Sequence, residues 1–387
     1  MDEFTETRHI GLGENLGGAL KGTLFGFVLL IIAVVIMAWN ERSAVVTAGS
    51  LKRMAAQTTV LQTSQPGPET EGKAVLLSGS LHPLKQVKDP LFGVAPKEAL
   101  VLARRVSMYQ WHEKESRTTQ KELGGGTTET VTYTYYRDWS ETPINSAAFR
   151  HPEGHANPPF PYRSQRFESG AVLGGFVMGS QVLARLTPQT PVHPLPAPSG
   201  TAEGIKAGED FYYLGQNPAA PAVGDVKITF AYAPAGLYTV VGAQRGDALV
   251  PFADEGERTW LFVRKGAHGK EEIFQDALAQ NRLMTWVFRG VGFGVMFLGF
   301  MLILGPLTAV ADILPPLGSA VGGMTALAAA LLTLVLGGTV TLMAWVGARP
   351  LLVGGVLMIL GGWWLYKRVK KRAAPPSRTA GPPPRRQ

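Results

Sequence analysis

Apolar residues along this chain fall into two kinds of pattern. Residues 287–366 are almost uncharged, with only Arg289, Asp312 and Arg349 ionisable. Those three stand where helices should begin or end, and they divide the block into apolar runs at 290–314, 319–346 and 351–366. Crossing the hydrocarbon core of a bilayer takes roughly 20 apolar residues at ~1.5 Å each. The first two runs are long enough. The third is short and leans on Trp363, Trp364 and Tyr366 as interfacial anchors. Backbone polar groups in lipid must be satisfied within the segment, so all three runs predict helices. Pro315-Pro316 and Arg349-Pro350 mark the breaks. A fourth run, TLFGFVLLIIAVVIMAW at 23–39, closes on Asn40-Glu41-Arg42. A cleaved signal peptide has a shorter apolar core and small residues at its cleavage site. Met-Ala-Trp-Asn-Glu-Arg supplies neither, so an uncleaved anchor at 23–40 is predicted behind a polar, glycine-loosened leader at 1–22.

Between these blocks the pattern changes. Residues 73–81, 99–111, 129–139, 225–233, 238–242 and 259–263 alternate or carry β-branched runs, with Gly, Pro and Asn between them. This is the signature of strands, mostly antiparallel. Residues 170–186 are moderately apolar with many small side chains and are read as a buried or surface-dipping helix. At 270–285, Ile273, Phe274, Ala277, Leu278 and Leu283 share one face at helical spacing. The stretch 187–200, with five prolines, reads as a loop or an extended arm. The fold class predicted is an α+β membrane protein: a β-rich extracytoplasmic domain at 41–285, one N-terminal span, a three-helix block at 286–366, and a disordered Pro/Arg tail at 367–387.

Charge sharpens the topology. The 387 residues carry 37 basic and 29 acidic side chains, for a net charge of +8. The tail holds Lys367, Arg368, Lys370, Lys371, Arg372, Arg378, Arg385 and Arg386 and no acid. Without those eight, basic and acidic residues balance, so no basic excess remains for a nucleic-acid surface. The tail holds both termini in the cytoplasm by the positive-inside rule. Lys367, Arg368, Lys370, Lys371 and Arg372 lie near enough to the last span to meet anionic headgroups. Arg42, Lys52 and Arg53 after the first span pull the other way, but long domains translocate with little regard to charge.

Little catalytic chemistry is visible. The chain has no cysteine, which excludes disulfides and thiolate sites. His151 and His155 flank Glu153 at a ligand-like spacing, but Pro152 and Gly154 argue for a loop, and no third ligand is near. Asp138 and Glu141 are read as solvated charges at a strand end, and Arg245-Gly246-Asp247 as a tight turn. Tyr133, Tyr135, Tyr136 and Trp139 are read as sheet packing. No phosphate loop and no hydrolase or zinc-protease motif occurs. No cofactor or metal is expected. Small residues at four-residue spacing are more informative: Gly18, Gly22 and Gly26; Gly290 and Gly294; Gly318, Gly322, Ala326 and Ala330. They let helix backbones approach closely in lipid.

Several strings carry a family likeness. They include Asn40-Glu41-Arg42, Asp89-Pro90-Leu91-Phe92-Gly93-Val94 and Arg104-Arg105-Val106-Ser107-Met108-Tyr109-Gln110-Trp111. Tyr133 to Trp139, Ile144-Asn145-Ser146, Gly154-His155-Ala156-Asn157-Pro158 and Gly208-Glu209-Asp210-Phe211-Tyr212 continue it. Val223-Gly224-Asp225-Val226 and Gln244-Arg245-Gly246-Asp247-Ala248-Leu249-Val250-Pro251-Phe252 complete it. In order and spacing this set resembles the transmembrane protein 43 (LUMA) family across residues 24–366. The leader and the tail depart from the pattern and inherit nothing. The resemblance implies one anchor, a large domain that is lumenal in eukaryotes, three further spans, and self-association. It also implies a role in organising membranes and partner proteins at the endoplasmic reticulum and inner nuclear membrane. It carries over no catalytic residue. The lack of cysteine and the Ala/Gly/Pro/Arg-rich usage point to a bacterial member, in the cytoplasmic (inner) membrane with a periplasmic domain. Two function classes stay open: a non-enzymatic, homo-oligomeric membrane scaffold, and a subunit of a channel or transporter-like pore. Against the pore, no span carries a charge near its centre. An enzyme acting on envelope lipid or glycan is the weakest reading.

Overall fold

The computed structural model describes residues 2–347 except 63, 124, 199–203, 255–257 and 314, together with 358, 363 and 364; for 315–317 it describes the backbone alone. Four α-helices lie in this part: α1 (Leu12–Gln57), α2 (Ser180–Leu183), α3 (Lys270–Ala311) and α4 (Pro315–Gly347). Three of them, α1, α3 and α4, are long and apolar enough to cross a membrane. The expected third C-terminal span at 351–366 lies outside the described residues save Met358, Trp363 and Trp364, which are helical. The tail at 367–387, with its lipid-surface candidates, also lies outside them.

The helices are longer than the apolar runs within them. α1 extends the 23–40 anchor at both ends, to 46 residues. Past the apolar run, its buried positions Ser50, Leu51 and Met54 recur at helical spacing. Leu51 and Met54 pack with Ile273 and Phe274 of α3 on Ala74, Leu76 and Val241 of a sheet. α3 fuses the amphipathic 270–285 segment to the following span without a break, and Asp312 ends it as expected. α1 and α3 run antiparallel along most of their length. Gly26 abuts Gly299 and Met37 abuts Gly292, while Asn281 donates from Nδ2 to the Ala44 carbonyl, 3.0 Å away. α4 returns along α3, with Gly337 seated on the Phe293 ring.

The β-rich domain holds an eight-stranded and a seven-stranded sheet among the described residues. In the seven-stranded sheet, Ala74–Pro83 pairs antiparallel with Gly236–Arg245. The eight-stranded sheet is organised by one long strand, Ala99–Lys121. Its first half opens on four buried positions, alternates buried with less buried ones from Leu102 on, and pairs with Val226–Pro234. Its second half, WHEKESRTTQK, pairs with the return strand Thr127–Ser140. Threonine, valine and tyrosine recur along these strands, as a pleated, half-buried surface favours.

Two family strings meet inside this domain. Asp89 is fully buried and takes a 2.7 Å ion pair from Arg104 Nη1. Its other oxygen accepts from the amides of Leu91 and Phe92. The Arg104 Nε donates to the Arg163 carbonyl, and Nη2 to Gln165. A buried charge needs this full set of partners, which is why the Asp89 to Phe92 turn and the Arg104 strand position belong together.

Two readings of the sequence are corrected. Residues 170–186 form a hairpin, Ala171–Leu173 with Phe176–Met178, followed by the single turn α2. Gly174, with φ +60°, makes the turn, and Ala171, Leu173, Phe176 and Met178 fill the core. The leader is not a loose segment. Asp2–Ile10 is a strand paired in register along Thr127 to Tyr135 of the return strand, and α1 begins at Leu12. Its Thr/Glu/Thr/Arg alternation suits an exposed strand, and the return strand offered an open edge to complete.

Candidate functional site

The helix bundle and the polar ribbon beside it are where the unusual chemistry lies. At the domain-proximal end of the bundle, Glu41 is almost fully buried. Its Oε1 accepts from Arg289 Nε at 2.5 Å and its Oε2 from Nη2 at 2.9 Å. The Arg289 guanidinium also lies 4.6 Å from the centre of the Trp286 ring. Next to Glu41, Asn40 Nδ2 donates to the carbonyl of Thr285, one turn before Arg289, at 3.1 Å, and Trp39 meets Phe288 edge to face at 6.1 Å. A two-pronged carboxylate–guanidinium pair fixes both distance and rotation, so this cluster locks the register of α1 against α3. Along the sequence Glu41 and Arg289 stand as separate span boundaries. The missed signal was that a lone arginine inside an apolar block needs an acid at the same depth, and Glu41 closes the neighbouring span.

The small-residue candidates divide by what surrounds them. Gly26 is in tight contact: a methyl group there would stand 2.7 Å from the Gly299 carbonyl oxygen. Gly22 and Gly322 have ordinary neighbours at 3.6 Å, Leu302 and Thr308 respectively. Gly318 is crowded by Asp312, and Gly18, Gly290 and Gly294 face nothing within 4 Å among the described residues. Ala326 and Ala330 are half-buried. The face of α4 most deeply buried lies one position away, at Thr325, Ala329 and Thr333, with Gly337 against Phe293.

The ribbon consists of Asp2–Ile10, the second half of Ala99–Lys121 and Thr127–Ser140. Its tip is tied to the far end of the bundle. Asn15 Nδ2 donates to the Gly125 carbonyl and to Thr127 Oγ1, both at 2.9 Å. Lys121 forms a 2.6 Å ion pair with Asp312 at the end of α3. Roughly 55 Å of helix, at ~1.5 Å per residue, separates Asn15 from the Leu51 contact with the sheet. The ribbon therefore runs alongside the apolar stretch of the bundle. It carries Glu3, Glu6, Arg8, Glu113, Lys114, Glu115, Arg117 and Glu129 at that level. Arg150 clamps Glu6 with two bonds of 2.8 and 2.9 Å.

The remaining candidates resolve into structure. His155 is buried, with Nδ1 2.9 Å from the His151 carbonyl and Nε2 3.2 Å from Asp2 Oδ2. It stacks on Tyr135 with 4.1 Å between ring centres. His151 stacks on Phe4 and lies 3.7 Å from Glu6. No group of three ligating side chains forms among the described residues. Asp138 is exposed, and its Oδ1 accepts from the Trp139 amide. Tyr136 stacks on His112, and Trp139 packs on Tyr109. Arg245-Gly246-Asp247 is the turn between two strands, with Gly246 at φ +59°. Burial pushes the Tyr212 hydroxyl up to about 12, with the Asp89 carboxylate nearby adding to it. That is a property of the domain core. What these groups do together is position helices and strands.

The chain compares directly with known proteins. A family profile described as Transmembrane protein 43 matches residues 108–350. The human Transmembrane protein 43 is 31% identical over 319 residues, covering 79% of each chain. The Rattus norvegicus protein is 30% identical over the same length. The Transmembrane protein 43 homolog of Drosophila melanogaster is 28% identical over 295 residues, covering 74% of this chain and 78% of its own. No solved structure matches. With its three apolar helices and its β-rich domain, this multi-pass membrane protein belongs to the transmembrane protein 43 family.

Proposed function

We propose that this protein is a non-enzymatic membrane scaffold that associates with further copies of itself and organises other membrane or envelope proteins. The ribbon carries the argument. Its charged side chains run level with the apolar helices, and among the described residues Asp2–Ile10 is the outermost strand of its sheet. Lipid tolerates neither exposed charge nor an open strand edge with unpaired amides and carbonyls. A second copy offers what lipid cannot: another polar ribbon, and another strand edge to pair with. In this reading the body of the β-rich domain lies outside the cytoplasm, in the periplasm of a bacterial cell, and the basic tail stays at the cytoplasmic leaflet.

The same ribbon favours a second reading. A ring of copies with their ribbons inward encloses a polar path, and the protein is then a pore subunit. One cysteine placed in this cysteine-free chain tests both. Ser116→Cys lies on the exposed part of the ribbon. Mild oxidation in native membranes is expected to give a disulfide-linked dimer, while an Ala220→Cys control on an exposed loop stays monomeric. Monomer alone from both variants would refute self-association along the ribbon. Ion flux through vesicles carrying the purified protein, blocked by a cationic thiol reagent at Ser116→Cys, would select the pore over the scaffold.

A further inference from the structure

A cleft of about 410 Å³ opens where α1, α3 and α4 reach the level of the Glu41–Arg289 lock. Lys52, Asn281, Arg282 and Arg289 line it beside Glu41 and the Trp345 ring. Directly below, a groove of about 530 Å³ runs between α3 and α4, lined by Phe293, Leu342, Gly290, Gly338 and Thr341. The two spaces share Trp286, Arg289 and Trp345, so they form one continuous feature with a polar head and an apolar stem. Its head is at the depth of a tryptophan belt, where a bilayer changes from hydrocarbon to headgroup.

The charges of the head do not cancel. Arg289 is matched by Glu41. Lys52 and Arg282 are exposed, and no carboxylate among the described residues pairs with either. The cleft thus keeps an excess of two positive charges. The stem has its own feature. Among the described residues Gly290 and Gly338 meet nothing within 4 Å, so their missing side chains serve no contact between the described helices, unlike those of Gly26 and Gly337. What they do is keep the groove open.

We propose that this cleft and groove bind one anionic phospholipid, with its phosphate between Arg282 and Lys52 and an acyl chain along Gly290, Phe293 and Gly338. A zwitterionic lipid would bring a cation into a head that already has an excess of positive charge. A free phosphate would use the head and leave the stem empty. Neither matches the whole feature as an anionic lipid does.

The full-length protein is purified in mild detergent, supplied with equimolar phosphatidylglycerol and phosphatidylcholine, and its retained lipid measured by native mass spectrometry. Wild type is expected to retain one phosphatidylglycerol preferentially. Lys52→Gln with Arg282→Gln should lower that preference roughly thirtyfold, at ~1 kcal/mol for each basic side chain near the headgroup. Gly290→Leu with Gly338→Leu should abolish retention without lowering the unfolding midpoint, because a Cβ at either position meets no described atom within 4 Å and leucine is a better helix former than glycine. Equal retention by the leucine variant would overturn the proposal, as would no preference between the two lipids. Displacement of the lipid by inorganic phosphate would reduce the head to a free-anion site and overturn the stem. Cross-linking of Gly338→Cys to residues after 347, or to a second copy, would show that protein fills the groove, and would overturn it too.

Discussion

Replacing Gly26 by alanine adds one methyl group at the closest point of the α1–α3 contact. That methyl would stand 2.7 Å from the Gly299 carbonyl oxygen, 2.9 Å from Ile303 Cγ1 and 3.1 Å from Leu302 Cβ. Ordinary contact begins at 3.4 Å, so the helices must part by about 0.7 Å. The obstacle is backbone and branched side chain on a helix, which cannot swing aside. Overpacking of this kind costs ~1–3 kcal/mol. Against it stands the helix propensity gained by any Gly→Ala change, about 1 kcal/mol. Gly290→Ala supplies the control, because it makes the same exchange with nothing within 4 Å. The gain cancels in the comparison, and Gly26→Ala should be the less stable of the two by ~1–3 kcal/mol. Unfolding of the detergent-solubilised protein, titrated with sodium dodecyl sulfate and followed by tryptophan fluorescence, reads the difference. Equal midpoints for the two variants would refute the close α1–α3 contact. A larger loss for Gly290→Ala would reverse the assignment of which glycine faces a helix.

Two further predictions concern the β-rich domain. Asp89→Asn leaves the Arg104 guanidinium buried without its ion-pair partner and should cost ~3–5 kcal/mol; adding Arg104→Met should restore much of the loss of protease resistance, and no recovery would mean that Asp89 matters mainly through its bonds to the Leu91 and Phe92 amides. His268 has its pKa held above the usual 6.5 by the Lys265 carbonyl and by Glu272, whose carboxylate is 2.9 Å from Nδ1. A raised folded-state pKa stabilises below the unfolded value and loses that effect as pH climbs through the folded one. The gap in thermal midpoint between wild type and His268→Gln should therefore be widest below pH 6.5 and close as pH rises; a gap that widens with pH would contradict the contacts at the start of α3.

The helices were legible where lipid leaves no choice. Residues 23–39, 290–311 and 319–346 are too apolar and too long to be anything else. Their ends were less legible, because α1 continues past Arg42 on the strength of contacts with Ile273, Phe274 and Leu76, which lie far away in sequence. Strands with one buried face, such as Val226–Pro234, announced themselves by alternation. The Asp2–Ile10 strand did not, because nearly every position on it is exposed and its partner begins at Thr127. Glycine and alanine at 170–186 looked helical in composition, whereas a left-handed Gly174 turns them into a hairpin. The interfacial lock was half legible: both charged residues were noticed, and only the antiparallel register of α1 and α3 brings them together.

The pairing of the first strand with the return strand has a consequence for how the molecule is made. The ribosome delivers Asp2–Ile10 well before its partner, which emerges more than a hundred residues later. Until then the segment has no sheet to join, and once the return strand appears its free edge is open to any strand within reach. Contacts so distant along the chain form slowly, because a long loop must close before they stabilise anything. Meanwhile α1, a local structure, can form at once. Assembly should therefore proceed from the anchor outward, with the Asp2–Ile10 strand the last to settle. A bulky group fused ahead of Asp2 would burden that last step and leave the earlier ones untouched.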